Sequence, residues 1–263
     1  MNDEVLTFEL RDNVAWLTLN RPAVYNAMNG AMTMALCEAA NRCSGDPAVR
    51  AVVISGAGDQ AFCAGGDVGS FLENKDRVGT LVREMTMYLH AAVSRFAWMR
   101  SPVIASVNGI AAGAGLSIVG FADLVIAADA ASFTSAYTRI GFTPDGSSSF
   151  FLSRILGQRR AMELYLTNRV LSAQEALDWG LVNRVVPQAD LRAETEALAT
   201  QLAQGPTVAF GGVKKLLQMA GNDSLEGQME RETREIAEAA QSADGREGVA
   251  AFVEKRAPVF RGN

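Results

Sequence analysis

The 263-residue chain carries 24 basic and 29 acidic side chains, a formal net charge of −5, and is 49% hydrophobic and 20% charged. This composition suits a globular protein long enough to bury a core without disulfides or metals; it excludes a disordered chain and lacks the basic footprint of a nucleic-acid binder. The single histidine, His90, excludes sites built on two or more imidazoles, and the three cysteines, Cys37, Cys43 and Cys63, suit a reducing compartment rather than a disulfide framework.

The first residues, MNDEVLTFEL, hold acids and no apolar leader, so no secretory signal is expected and the chain reads as cytoplasmic. Val5–Leu10 and Val14–Leu19 alternate apolar and polar residues and predict a hairpin or two adjacent strands. Residues 26–43 have helical spacing, with Met28, Met32, Leu36 and Ala39 on one face. Ala51–Ser55 reads as a buried strand, followed by a glycine-rich segment over 56–70. An amphipathic helix is predicted over 79–97 and a buried strand over Val103–Val107. The uncharged stretch 102–122 is broken by Pro102, Asn108 and glycines, so it is not a membrane span. A strand at Asp123–Ala127, an extended piece holding Phe133 and Tyr137, and helices at Ser147–Ile155 and Ala161–Leu166 come next. After about residue 185 the pattern is helical: 189–203, 207–219, 224–241 and 245–254. Strand–helix alternation followed by helices predicts an α/β core over 1–190 and a helical region over 191–263.

Two glycine-rich segments could carry chemistry. Gly56–Ala61 spells GxGxxA after a strand, but a dinucleotide loop needs its third small residue to open a helix, and Gly65–Gly66 interrupts the chain again. The pair Ala61–Asp67 and Asn108–Ser117 each follows a buried strand. Small residues there let backbone N–H groups face a ligand, and two such loops on neighbouring strands can aim two donors at one oxygen. Tight strand-to-helix turns with close packing would leave the same pattern.

LNRPAVYNAM (19–28), GDQAFCAGGDV (58–68), PVIASVNGIAAGAGLSI (102–118), FADLVIAAD (121–129) and AMELYLTNRVLSAQEALDWGLVNRVV (161–186) resemble the crotonase superfamily, the enoyl-CoA hydratase/isomerase family. The likeness runs from about Leu19 to AAFVEKRAPVF (250–260) in the family's order. It implies an α/β fold, a spiral of ββα units followed by a helical trimerisation region. It also implies an acyl-CoA thioester substrate, no cofactor beyond that coenzyme A, no metal, and assembly as a trimer or a dimer of trimers. By position, the oxyanion-hole donors would be the N–H groups of Gly66 and Ala114. Ala64, Gly65, Asp67 and Val68 would line the coenzyme A path. Phe252 and Lys255 match positions that reach the coenzyme A of a neighbouring subunit, with Arg256 adding positive charge.

The departures bear on the chemistry. The family's two hydratase glutamates fall on Ser117 and Tyr137, neither of which is a carboxylate acid or base near neutral pH. The remaining candidate is Asp145, in TPDGSSSFF. Taken alone, Pro-Asp-Gly is a turn signal and the aspartate could cap the next helix. Within the resemblance, the same position carries a proton-shuttling aspartate in CoA-thioester double-bond and ring-epoxide isomerases. In 4-chlorobenzoyl-CoA dehalogenase it carries a nucleophile. A helix N-terminus would lower its pKa, and burial among Phe142, Phe150 and Phe151 would raise it. His90 and the run Gly157–Arg169 match the dehalogenase, in which the histidine activates water, but that enzyme's active-site tryptophan is Tyr137 here, and 141–152 is closer to the isomerases. The expectation is an isomerase with Asp145, Gly66 and Ala114 in catalysis and Tyr137 and His90 shaping the acyl pocket; a dehalogenase and a non-catalytic acyl-CoA-binding protein are the alternatives.

Overall fold

A computed structural model describes residues 4–263; the first three residues of the amino-terminal reading lie outside the described residues. β1 (Leu6–Arg11) and β2 (Val14–Leu19) pair antiparallel as a hairpin. Asp12 and Asn13 turn it with φ of 52° and 63°, the left-handed values whose twist matches that of the strands and which Asp and Asn tolerate. The first helix, α1 (Gly30–Gly45), starts four residues later than its apolar spacing predicts. Asn26 is fully buried at φ 56°, and its amide donates to the carbonyls of Ala57 and Ala61. Helix formation waits for Asn29, whose side chain accepts from the Met32 N–H as an N-cap.

The chain then climbs in repeated strand–strand–helix turns. The first comprises β3 (Ala51–Gly56), β4 (Ala61–Cys63), a short α2 (Val68–Glu73) and the long α3 (Val78–Trp98). The second is β5 (Val103–Val107), β6 (Ile110–Ala112) and α4 (Ala114–Phe121), and the third is β7 (Leu124–Ala128), β8 (Ser132–Thr134) and α5 (Ser148–Thr167). β9 (Leu171–Ser172), α6 (Ala173–Asp178) and β10 (Arg184–Val186) complete the spiral. The first strand of each turn joins a six-stranded sheet of order β1-β2-β3-β5-β7-β10, parallel from β2 onward; the second joins a smaller sheet of order β4-β6-β8-β9. This is the ββα spiral that the resemblance implies. Ala61 opens β4 and not a helix, so the GxGxxA run is a strand-to-strand corner and the dinucleotide reading fails.

Two further differences have local causes. α5 spans both helices predicted for that region, with a break at Gly157, where φ is 75° and ψ 157°. α6 went unpredicted, although Ser172 and Glu175 form a capping box across its first turn, a signal present in the sequence.

The carboxy-terminal helices follow the prediction closely: α7 (Leu191–Ala203), α8 (Thr207–Met219), α9 (Leu225–Gln241) and α10 (Ala243–Glu254). Ala199 and Ala203 of α7 pack on Val14, Ala51, Val53 and Ile104 and close the outer face of the large sheet. Lys214 of α8 is buried; its Nζ pairs with Asp123 at 2.6 Å and donates to the carbonyls of Phe96 and Ser101 at 2.9 and 3.0 Å. Burial lowers the lysine pKa and raises that of the aspartate, while their mutual attraction opposes both shifts. No described helix is long and apolar enough to cross a membrane.

Candidate active site

The two glycine-rich loops meet at the carboxyl ends of β4 and β6. A parallel bridge joins Met28 to Gly66, using the Gly65 carbonyl (2.7 Å to Met28 N) and the Asp67 N–H (2.9 Å to Met28 O). In that pattern the flanking residues make the bonds, so the N–H of Gly66 is left outside the ladder. Ala114 is the first residue of α4, where a backbone N–H has no intrahelical acceptor. Close approach holds the loops together. A Cβ on Gly65 would lie 3.0 Å from the Ala112 carbonyl oxygen, and one on Gly115 would collide with the carbonyl of Cys63. Gly66 and Ala114 both line one cavity of about 690 Å³, the size of a small-molecule site.

The opposite wall is apolar. Val78, Val82, Met85 and Leu89 of α3 face the cavity, with Ile140 and Phe142 from the loop before α5. Phe71 tilts against Phe142 with centroids 5.7 Å apart. Its ring sits over Gly66 so closely that an added Cβ would be 2.7 Å from the ring carbon Cζ. Nothing in the residue pattern had singled out Phe71, which reaches the site only because α2 turns back over the first loop.

One carboxylate lines this cavity among the described residues, that of Asp145. Its Oδ1 accepts from the Tyr137 hydroxyl at 2.6 Å, so it is not a helix cap; Ser147 precedes α5 without capping it. The turn signal holds, with Gly146 at φ 58° and Ser147 at φ 67°. Ser117 is fully buried, with its Oγ 3.0 Å from the Tyr137 oxygen, 3.0 Å from the Asp145 carbonyl and 3.3 Å from that of Gly113. The Tyr137 phenol is pushed well above its ordinary pKa, first by burial and then by the adjacent Asp145 carboxylate, so it stays a proton donor to that carboxylate. The two positions expected to hold hydratase glutamates therefore hold hydroxyls that converge on Asp145.

The model of the family described as enoyl-CoA hydratase/isomerase matches residues 9–263. The chain belongs to the enoyl-CoA hydratase/isomerase family. It is 40% identical, over all of both chains, to the Rhodobacter capsulatus protein named "Probable enoyl-CoA hydratase". It is 37% identical to the 1,2-epoxyphenylacetyl-CoA isomerase of Escherichia coli, covering 98% of this chain and 99% of that one. It is 36% identical to 4-chlorobenzoyl coenzyme A dehalogenase-1 of an Arthrobacter species, covering 89% and 85%. Among solved structures, the enoyl-CoA hydratase of Polaromonas sp. JS666 superposes with a TM-score of 0.92 at 34% identity, covering 97% of this chain and 99% of that one.

The other residues expected in this crotonase site are placed unevenly. Ala64, Gly65 and Val68 line the cavity. Asp67 does not; it caps α2 through the Ser70 N–H and pairs with Arg21 at 2.8 Å, which fixes the loop from behind. His90 is exposed and outside the lining, with its Nε2 accepting from the Gly146 N–H at 3.2 Å. Of the three phenylalanines expected to bury Asp145, only Phe142 borders the cavity; Phe150 lies under the Arg154 guanidinium, and Phe151 packs edge-on to Phe150. Phe252 is 84% exposed and Lys255 closes α10 in the left-handed conformation, both outside the lining. Arg83 and Arg139 border the cavity and were not foreseen, because a surface arginine on an amphipathic helix or turn carries no distinguishing signal. No cluster of three or more His, Cys, Asp or Glu among the described residues could hold a metal.

Proposed function

We propose that this family member, an enzyme acting on acyl-CoA, is an isomerase of a double bond or ring next to the thioester, working through the thioester enolate; the steps are given for the double bond. Asp145 takes a proton from the carbon α or γ to the carbonyl. The C–H electron pair moves into a dienolate whose oxygen the N–H groups of Gly66 and Ala114 receive. Return of the proton from Asp145 to the other carbon restores the thioester and leaves the double bond shifted, with no net gain or loss of atoms. One positioned proton carrier of this kind contributes about 10²–10⁴-fold. Coenzyme A enters as part of the substrate, along Ala64–Val68.

The observation that carries the reading is the single carboxylate on the cavity wall, with hydroxyls at Ser117 and Tyr137. Two-glutamate hydration lacks both of its carboxylates at those positions. The dehalogenase reading shares Asp145 but requires the carboxylate as a nucleophile. We also propose that the exposed apolar positions Ile236, Phe252 and Val253 are covered on trimer formation, which would bring Phe252 and Lys255 to a neighbour's coenzyme A.

The test is Asp145→Asn assayed for conversion of 3-enoyl-CoA to 2-enoyl-CoA. A loss of about 10²-fold or more, with CoA-thioester binding retained, is expected. Undiminished turnover removes Asp145 from the mechanism. Water addition to 2-enoyl-CoA that survives the substitution would support the hydratase reading, and Asp145-dependent chloride release from 4-chlorobenzoyl-CoA the dehalogenase one.

A further inference from the structure

The peptide unit joining Asp145 to Gly146 is gripped at both ends. Its carbonyl oxygen lies 3.0 Å from Ser117 Oγ on α4, and its N–H donates to His90 Nε2 on α3 at 3.2 Å. In a trans peptide these two groups point in opposite directions, so the plane is held against rotation from both sides. The fit is close. A Cβ on Gly146 would stand 2.9 Å from Ser117 Cβ and 3.2 Å from Leu89 Cδ2, in a backbone conformation of φ 58°. The Asp145 carbonyl also accepts from the Ser148 N–H at 3.1 Å, within the same turn, while the single proton of Ser117 is shared among the carbonyls of Asp145 and Gly113 and the Tyr137 oxygen. The Gly146 N–H is held from outside the loop, by the lone pair of His90 Nε2.

That lone pair decides what His90 can do here. A neutral imidazole that accepts at Nε2 carries its proton on Nδ1. A histidine acting as base toward a substrate or water must turn an unoccupied lone pair to the cavity, and His90 does not line the cavity. We infer that His90 is a positioning residue: it accepts the Gly146 N–H, locks the Asp145–Gly146 peptide plane, and thereby aims the Asp145 carboxylate at the reacting carbons. This rests on the reading of Asp145 as the proton carrier. It assigns the histidine a role different from the water activation that the dehalogenase resemblance implies.

Glutamine and leucine at position 90 separate the two roles. Glutamine places an acceptor oxygen near the site of Nε2 but cannot act as a base near neutral pH; leucine keeps bulk and supplies no acceptor. In the isomerisation assay, His90→Gln is expected to rescue the rate to within about threefold of the parent. His90→Leu should lower kcat about 5- to 100-fold, the range for one unsatisfied backbone donor, with KM within about twofold because the lining is unchanged. Hydrogen exchange at the Gly146 amide gives a reading independent of turnover: protection retained in the parent and in His90→Gln, and lost in His90→Leu. The inference is overturned if glutamine costs as much turnover as leucine, or if the amide is equally protected in both variants. Asp145→Asn, run in parallel, keeps the failures apart. Full activity there refutes the reading of Asp145, whereas an inactive Asp145→Asn beside equally impaired His90 variants refutes the clamp alone.

Discussion

Replacing Gly146 with alanine separates backbone strain from close approach, because Gly180, just past the end of α6 and away from the cavity, supplies a control. Both glycines adopt a left-handed φ, 58° and 79° respectively, a region that costs an alanine about 1–2 kcal/mol. The surroundings differ. A Cβ at Gly180 meets nothing within 4 Å, whereas one at Gly146 lies 2.9 Å from Ser117 Cβ, 3.1 Å from its Oγ and 3.2 Å from Leu89 Cδ2. Overpacking of that kind adds about 1–3 kcal/mol. Gly180→Ala should therefore lose about 1–2 kcal/mol of stability with turnover unaltered, and Gly146→Ala about 2–5 kcal/mol in total. If the loop holds its place, the excess appears as a Tm lower than that of Gly180→Ala by about 2–10 °C. If the loop yields, Tm recovers but Asp145 moves, and turnover falls about tenfold or more. Differential scanning calorimetry and the isomerisation assay on the same preparations decide between these outcomes. Gly146→Ala matching Gly180→Ala in both Tm and kcat would refute the argument that the gap between α3 and α4 fixes this loop.

Three further outcomes are expected. Tyr137→Phe removes the donor to Asp145 and should cost about 10- to 100-fold in kcat, the range for a hydrogen bond to a charged group; an unchanged kcat would deny the phenol that role. The Tyr137 phenol has its pKa raised by burial and by Asp145, so its contribution to stability is complete below the ordinary tyrosine pKa of about 10 and is lost as pH rises through the higher folded value. The difference in phenolate absorbance between parent and Tyr137→Phe should therefore develop only above pH about 10, and a difference already complete there would contradict it. Lys214→Ala strands the Asp123 carboxylate and two carbonyls, and urea unfolding should report about 3–5 kcal/mol of lost stability; a loss under about 1 kcal/mol would show that the pair is not the tie between α8 and the core.

The glycine pattern of the site was legible because its physical requirement is local. Gly65 and Gly115 stand where a Cβ would strike a neighbouring backbone, and that demand shows in sequence as small residues clustered after two apolar strands. Most helices were legible from spacing, and their errors trace to contacts that spacing does not carry. Asn26 leaves the helical pattern to serve the carbonyls of Ala57 and Ala61, more than thirty residues away. The six residues of α6 are too few for apolar spacing to mark a helix, and its capping box is the one local signal it carries.

The family likeness and the strand-then-helix order are written in residue type and local spacing, as are the two glycine-rich loops and the choice of Asp145 as the candidate carboxylate. Only the tertiary fold brings the hydroxyls to Asp145 and the histidine to Gly146. Ser117, Tyr137 and Asp145 are spread over twenty-eight positions and meet because α4 and the loop before α5 converge. His90, more than fifty residues before Gly146, meets it only where α3 passes under the same loop. A lone histidine on an amphipathic helix can be a base, a lining residue or an anchor, and the choice depends on what its lone pair faces, which is set by long-range packing and not by any spacing along the chain.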